Sequence, residues 1–167
     1  MIVDLDTIGQ AGESTAVLRF AERISSGVEV LFGAPVEGEI RLRRAGGTVW
    51  LDGAVATTVN LGCARCLRPI EQRLIASFHE GFRPGAPAPD EGEDEAGVVT
   101  LVGGMLDVSE VVRQHLVMAL PMAPVCRPGC RGLCPICGAD RNEVACDCVQ
   151  EAIDPRLAVL QQFRPSG

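Results

Sequence analysis

Eight thiols dominate the chemistry available to this chain, and six of them fall between Cys126 and Cys148. That stretch reads C-R-P-G-C-R-G-L-C-P-I-C-G-A-D-R-N-E-V-A-C-D-C, and Cys63-Ala64-Arg65-Cys66 forms a separate pair far upstream. Thiolate sulfurs two to four residues apart, set among Gly and Pro, can converge on one tetrahedral metal ion. The competing reading is a disulfide framework, which needs an oxidising compartment. The opening Met1-Ile2-Val3-Asp4-Leu5-Asp6 has neither a basic stretch nor a following apolar run, so no secretory signal is expected.

Counting ligands divides the thiols into two sets. Cys134-Pro135-Ile136-Cys137-Gly138 is a knuckle in which glycine lets the chain fold back, so that backbone N–H groups can face sulfur. Cys146-Asp147-Cys148 completes a local set of four. Cys126 and Cys130 then need two partners, and so do Cys63 and Cys66. The expected sites are Cys63, Cys66, Cys126 and Cys130 for one ion, and Cys134, Cys137, Cys146 and Cys148 for the other. Two structural Zn2+ ions are the expected cofactors, because zinc dominates all-cysteine structural sites.

Catalysis is not expected from these thiols. A redox C-x-x-C usually opens a helix, whose N-terminus lowers the thiol pKa, whereas Cys63 and Cys66 lie between strand-like segments. Arg65 and Arg68 would favour thiolate, which serves metal ligation equally well. A catalytic zinc keeps a position open, and complete four-cysteine sets leave none. The sequence has no phosphate-cradling glycine loop and no nucleophile elbow. No catalytic residue, enzymatic activity or small-molecule substrate is expected.

The elements that must position the thiols are mostly strands. Residues 2–6 could form a short strand, and residues 14–24 fit either a helical or an extended pattern. Residues 36–44 alternate Val36, Gly38, Ile40 and Leu42 against Glu37, Glu39, Arg41 and Arg43. Ala45-Gly46-Gly47 is a compact turn, and the β-branched run 48–60 completes an antiparallel hairpin. Residues 67–82 supply another strand, with Ile70, Gln72, Leu74, Ala76 and Phe78 on one side. Cys63 and Cys66 therefore fall at a turn between strands, where a metal could clamp it.

Asp107-Val108-Ser109-Glu110 reads as a capping box, with Glu110 reaching back to Asp107. Val108, Val111, Val112, Leu116, Ala119 and Leu120 form an apolar stripe at helical spacing, ended by Pro121. His79 and His115 are expected to be surface or packed residues. A second helix is signalled by Asp154 as N-cap, Pro155 in its first turn and Leu157, Val159, Leu160 and Phe163 behind. The expected fold class is α+β: an antiparallel β-sheet core with a long helix and a C-terminal all-cysteine, zinc-ribbon-like module. The expected divisions are a β-rich core over 1–83, a disordered acidic loop over 84–97, a strand and helix completing the core over 98–125, and a zinc module with its C-terminal helix over 126–167.

At 167 residues the chain can bury a real core, and no apolar run approaches a membrane span. A cytoplasmic location is expected. The net charge of −7 argues against a generic polyanion binder. Five of those charges sit together at Asp90, Glu91, Glu93, Asp94 and Glu95, in a stretch that could recruit a basic partner but reads first as solvated loop. Apart from two His, every basic residue is Arg.

Several independent elements together resemble the YceD family of large ribosomal RNA subunit accumulation proteins. They are Cys63-Ala64-Arg65-Cys66-Leu67, the run from Ala119-Leu120-Pro121-Met122-Ala123-Pro124-Val125 into Cys126, Gly132-Leu133-Cys134-Pro135-Ile136-Cys137-Gly138, Asn142, Cys146-Asp147-Cys148 and Asp154-Pro155-Arg156-Leu157-Ala158-Val159-Leu160. The resemblance runs over about 36–163 and tilts residues 14–21 toward strand. It implies a bacterial cytoplasmic protein with plastid relatives, needed for accumulation of 23S ribosomal RNA, with no enzymatic activity. Because some members carry only part of the cysteine set, it also implies that Cys134, Cys137, Cys146 and Cys148 form a separable module.

The partner would be ribosomal RNA, a precursor of the large subunit or a ribosomal protein. Direct RNA contact would need an arginine face, drawn from Arg41, Arg43, Arg44, Arg65, Arg68, Arg73, Arg127, Arg131 and Arg141; Arg65, Arg68, Arg73, Arg127, Arg131 and Arg141 are the candidates. An adaptor for a basic ribosomal protein would use acidic surface instead. Other readings are a zinc-ribbon regulator unrelated to ribosomes and a dithiol redox protein.

Overall fold

A computed structural model describes residues 1–8, 15–24, 31–85 and 97–148. The elements run β1 (Ile2–Asp4), β2 (Thr15–Glu22), β3 (Leu31–Phe32), β4 (Val36–Ala45), β5 (Thr48–Gly62), β6 (Pro69–Pro84), β7 (Val98–Leu101), β8 (Met105–Asp107) and α1 (Val108–Met118). The architecture is α+β, with one six-stranded sheet, a two-stranded β1–β8 ribbon and a single α-helix among the described residues. The acidic stretch at 90–95 and the helix expected from Asp154 lie outside the described residues.

The sheet order is β2-β4-β5-β6-β7, and β3 pairs with β5 beyond the end of β4. The β4–β5 hairpin turns at Gly46 and Gly47, whose φ values of 57° and 83° are those a two-residue turn between twisted strands demands. From Val49 to Gly62, β5 pairs residue for residue with Phe82 back to Pro69. Alternation then sorts the faces. Val36, Ile40 and Leu42 of β4, Val49, Leu51, Val55 and Val59 of β5 and Leu74, Ala76 and Phe78 of β6 are buried, while Glu37, Glu39, Arg41, Arg43, Arg73 and Ile75 face outward. Gly53 has no side chain because the Phe78 ring lies where its Cβ would be.

One helix covers the buried face. Val108, Val111, Val112 and Leu116 of α1 join Leu5, Ile8 and Leu106 in the same core as the sheet. Burying each such side chain is worth roughly 1.5–3 kcal/mol. His115 stacks on Phe78 at 4.9 Å and hydrogen-bonds Glu80 at 2.5 Å, pinning the helix to β6. On the open face His79 stacks on Trp50 at 4.8 Å.

Three details differ from the sequence reading, and one open choice is decided in favour of strand. Strand β1 stops at Asp4, because the Asp4 carboxylate accepts the Asp6 N–H at 2.9 Å and turns the chain into a 3-10 helix over Leu5–Thr7. Residues 15–22 resolve as strand, paired along β4. The sheet is mixed, since β7 runs parallel to β6, with Gly81 opposite Val98. Asp107 caps α1 by accepting the Ser109 N–H, but Glu110 does not turn back to it. Glu110 pairs forward with Arg113 and Gln114, while Asp107 lies in β8 opposite Ile2.

Candidate metal centres

The turn between β5 and β6 is built as a knuckle. The Cys63 N–H donates to the Arg68 carbonyl at 2.9 Å, and the Leu67 N–H donates to the Cys63 carbonyl at 2.9 Å. Leu67 sits at the corner with φ +60°, in the left-handed region. After α1 the chain returns past this turn. Pro124 accepts the Ala64 N–H at 2.7 Å, and the Cys126 N–H donates to the Cys63 sulfur at 3.4 Å. The sulfurs of Cys63, Cys66, Cys126 and Cys130 consequently lie within 4.8 Å of one another. Cys63 is fully buried, and Cys66 and Cys130 are nearly so.

A second knuckle repeats the design. The Cys134 N–H donates to the Ala139 carbonyl at 2.8 Å, the Gly138 N–H donates to the Cys134 carbonyl at 2.9 Å, and Gly138 takes φ +73°. The sulfurs of Cys134, Cys137, Cys146 and Cys148 again lie within 4.8 Å of one another. Here only Cys134 is buried; Cys137 and Cys148 are exposed.

Both sets could hold a metal ion. With metal–sulfur bonds near 2.3 Å, a tetrahedron has sulfur–sulfur edges of about 3.8 Å. The observed edges are 3.9 Å for Cys63–Cys130 and 3.7 Å for Cys66–Cys126, against 3.5 Å for Cys137–Cys146 and 3.3 Å for Cys134–Cys146. All eight cysteines are free of disulfides.

The thiols are not electrostatically equal. In each knuckle the first cysteine is held down to about 6. For Cys63 the N–H groups of Cys66, Arg65 and Cys126 stabilise the thiolate; for Cys134 those of Cys137 and Ile136 do so. Burial pushes Cys126 up to about 12, and the neighbouring Cys146 and Cys137 thiols push Cys148 up to about 12. Four thiols this close resist ionising together, and a dication is the group that would relieve them.

Outer contacts join the two clusters. Asn142 donates to the Cys130 sulfur at 3.5 Å and accepts from the Arg131 N–H at 2.8 Å and the Arg127 guanidinium at 3.0 Å. Asp140 and Glu143 accept from Arg68 at 3.0 and 2.6 Å. Those two carboxylates raise the Arg68 pKa, the hydrogen bond to Asp140 being the largest single cause. Sequence reasoning gave Asn142 only as part of a family pattern and Asp140 no role at all. Long-range side-chain contacts such as these leave no periodic signal.

The arginines expected to form a binding face are placed unevenly. Arg65, Arg68, Arg127, Arg131 and Arg141 all lie exposed around the cysteine module, and Arg73 lies on the outer face of β6. Arg65 donates to the Cys130 carbonyl at 2.9 Å, so Arg65, Arg68 and Arg127 bond to the module itself. Arg44 turns inward and donates to the carbonyls of Leu5 and Ile8.

Comparison with known proteins places these residues in context. Residues 51–164 match the family described as large ribosomal RNA subunit accumulation protein YceD. An uncharacterized protein of Mycobacterium tuberculosis is 34% identical over 131 residues, covering 78% of this chain and 63% of the relative. A maize protein named as a chloroplastic YCED homolog 1, a large ribosomal RNA subunit accumulation protein, is 30% identical over 142 residues, covering 68% of this chain and 48% of its own. Its Arabidopsis thaliana namesake is 25% identical over 159 residues, covering 79% and 49%. The chain thus spans about half to two-thirds of the length of these relatives. No solved structure matches it.

Proposed function

We propose that this chain, which belongs to the YceD family, supports accumulation of large-subunit (23S) ribosomal RNA as a non-catalytic cytoplasmic protein braced by two zinc ions. The family match over residues 51–164 carries the ribosomal part of the reading, and the pair of four-sulfur clusters, each complete in itself and with edges near those of a tetrathiolate, carries the zinc part. Zinc fits best because each set is four cysteine sulfurs, with edges near those of a tetrahedral zinc thiolate. Cys63, Cys66, Cys126 and Cys130 would hold one ion, and Cys134, Cys137, Cys146 and Cys148 the other. Bound zinc supplies folding free energy. The knuckle N–H groups and the Asn142 amide offset the excess negative charge that four thiolates leave on a dication.

The partner reading follows from where charge is free. Arg65, Arg68 and Arg127 spend hydrogen bonds on the module, and the chain carries −7 overall. Both features favour a basic ribosomal protein, or a precursor particle displaying one, over naked RNA. Direct RNA contact would fall to Arg73, Arg131 and Arg141. Depletion followed by gradient analysis of ribosomal particles tests the function: a loss of large subunits and their RNA is expected, and unchanged large-subunit RNA would overturn it. Salt-dependent pull-down against purified RNA and basic ribosomal proteins tests the partner. RNA binding abolished by Arg131→Glu and Arg141→Glu would reverse the preference. No helix among the described residues is long and apolar enough to cross a membrane.

A further inference from the structure

We propose that Asn142 couples the two cysteine centres: carried on the loop that Cys137 and Cys146 close, it donates a hydrogen bond to the Cys130 sulfur, so that filling one centre strengthens metal binding at the other. The inference rests on the reading of both clusters as metal sites.

Asn142 lies midway between Cys137 and Cys146, yet its side chain leaves that cluster and meets the Cys126–Cys130 loop of the other. Its orientation is fixed by chemistry. The amide oxygen faces two donors, the Arg131 N–H at 2.8 Å and the Arg127 guanidinium at 3.0 Å. The amide nitrogen faces two acceptors, the Cys130 sulfur at 3.5 Å and the Asp140 carboxylate at 2.6 Å. A flipped amide would set oxygen against carboxylate and sulfur, so one orientation satisfies all four contacts.

The loop is also tied at its base. The Arg141 N–H donates to the Gly132 carbonyl at 3.0 Å, the Leu133 N–H donates to the Arg65 carbonyl at 2.9 Å, and Arg68 reaches across to Asp140. Gly132 is required there, because a Cβ would approach the Arg65 carbonyl oxygen to 2.8 Å. An ion held by Cys137 and Cys146 fixes both ends of the loop and so removes the ordering entropy of placing Asn142. By linkage, an ion held by Cys130 strengthens the same hydrogen bond and favours the ordered loop. Outer hydrogen bonds to metal ligands are worth roughly 10- to 100-fold in metal affinity.

The test is titration of the reduced, metal-free full chain with Cd2+. Affinity is read by competition with a chelator and each centre by its 113Cd resonance. Cys146→Ser with Cys148→Ser should weaken the Cys63/Cys66/Cys126/Cys130 centre by roughly 10- to 100-fold, although no ligand of that centre has changed. Asn142→Ala should weaken it similarly and shift its 113Cd resonance, and adding Asn142→Ala to the double serine variant should bring little further loss. Asn142→Asp, which keeps the acceptor for Arg127 and Arg131 but removes the donor to sulfur, should also shift that resonance. The coupling is overturned if the affinity stays within about twofold of the parent in either the double serine variant or Asn142→Ala, or if the two losses multiply in the combined variant. Absence of thiolate-to-cadmium absorption in the parent chain would overturn the metal reading itself, and the coupling with it.

Discussion

At Cys63–Arg68 and again at Cys134–Ala139 the chain makes the same two backbone hydrogen bonds around a left-handed corner, yet the corner is Leu67 in one and Gly138 in the other. The surroundings differ more than the corners. The first knuckle terminates the two longest strands of the sheet, and its sulfurs are almost wholly buried. The second stands on a short bridge between Leu133 and Asp140, with two of its four sulfurs exposed. The same local geometry therefore serves two purposes. One copy fastens the segment after α1 to the sheet, and the other holds a loop that leans on the first.

The largest contrast should come from removing one ligand of each cluster. Cys63→Ser is expected to lose its ion and destabilise the whole sheet, since structural zinc contributes about 10–16 kcal/mol in small domains against a typical total stability of about 5–15 kcal/mol. Cys148→Ser should lose one ion by native mass spectrometry while amide protection in β5 and β6 falls far less than in Cys63→Ser. Equal loss of sheet protection in both variants would erase the distinction.

Chelation should separate the clusters next. A competing chelator monitored by a metal-binding dye is expected to withdraw the first equivalent from the exposed cluster and the second, more slowly, from the buried one. Withdrawal of the buried ion first would invert the assignment of roles.

Acid gives a third, smaller effect, with two origins that differ in pH. Protons compete with metal for every thiolate, so ions leave as pH falls. Glu110 adds a separate window. Arg113, and then Gln114, hold its carboxyl down to about 2. A folded value below the unfolded one means that this pair stabilises above the ordinary carboxylate range near about 4.3 and loses its effect as pH falls toward 2. In a chain already stripped of metal and compared with the parent at each pH, Glu110→Gln should lower the melting temperature near neutrality, where the pair is intact. The deficit should vanish as pH falls from about 4.3 toward 2. A profile unchanged by the substitution would show that the pair contributes nothing.

The smallest effects sit at the corners. A side chain in the left-handed region costs roughly 1–2 kcal/mol, so Gly138→Leu should destabilise the exposed cluster by about 1 kcal/mol. Leu67→Gly should relieve a similar strain, offset in part by glycine's greater freedom when unfolded. A slightly higher melting temperature for Leu67→Gly, measured calorimetrically, would fit. A clear fall would mean that the freedom glycine adds to the unfolded chain outweighs the strain relieved at this 71% exposed corner.

Much of this arrangement is legible in the sequence, for identifiable reasons. Alternation along residues 36–44 and 48–60 gives the hairpin, because one face of that sheet is buried and the other is not. Asp107 and the stripe from Val108 to Leu116 give the helix, since capping and 3.6-residue periodicity are local. The division of cysteines follows from counting ligands, and the fold brings the same two groups of sulfurs together. What escaped was set by tertiary context. The parallel pairing of Val98 with Gly81 is a choice of neighbour that a four-residue strand cannot announce. Glu110 turns toward Arg113 rather than Asp107 because two helix-surface partners outcompete one backbone amide. Leu67 at a left-handed corner defies the propensity that makes Gly138 easy to read.

The sequence distance each cluster spans also orders events in time. Cys66 and Cys126 are 60 residues apart, whereas Cys137 and Cys146 are separated by nine. Closing the longer loop costs about 1.7 kcal/mol more in chain entropy, and it cannot close until β5, β6 and α1 have brought its ends together. The short cluster can capture an ion while the rest of the chain is still collapsing. The long one could be filled only once those elements have met, so an ion in the Cys63 cluster would record that β5, β6 and the segment after α1 have come together.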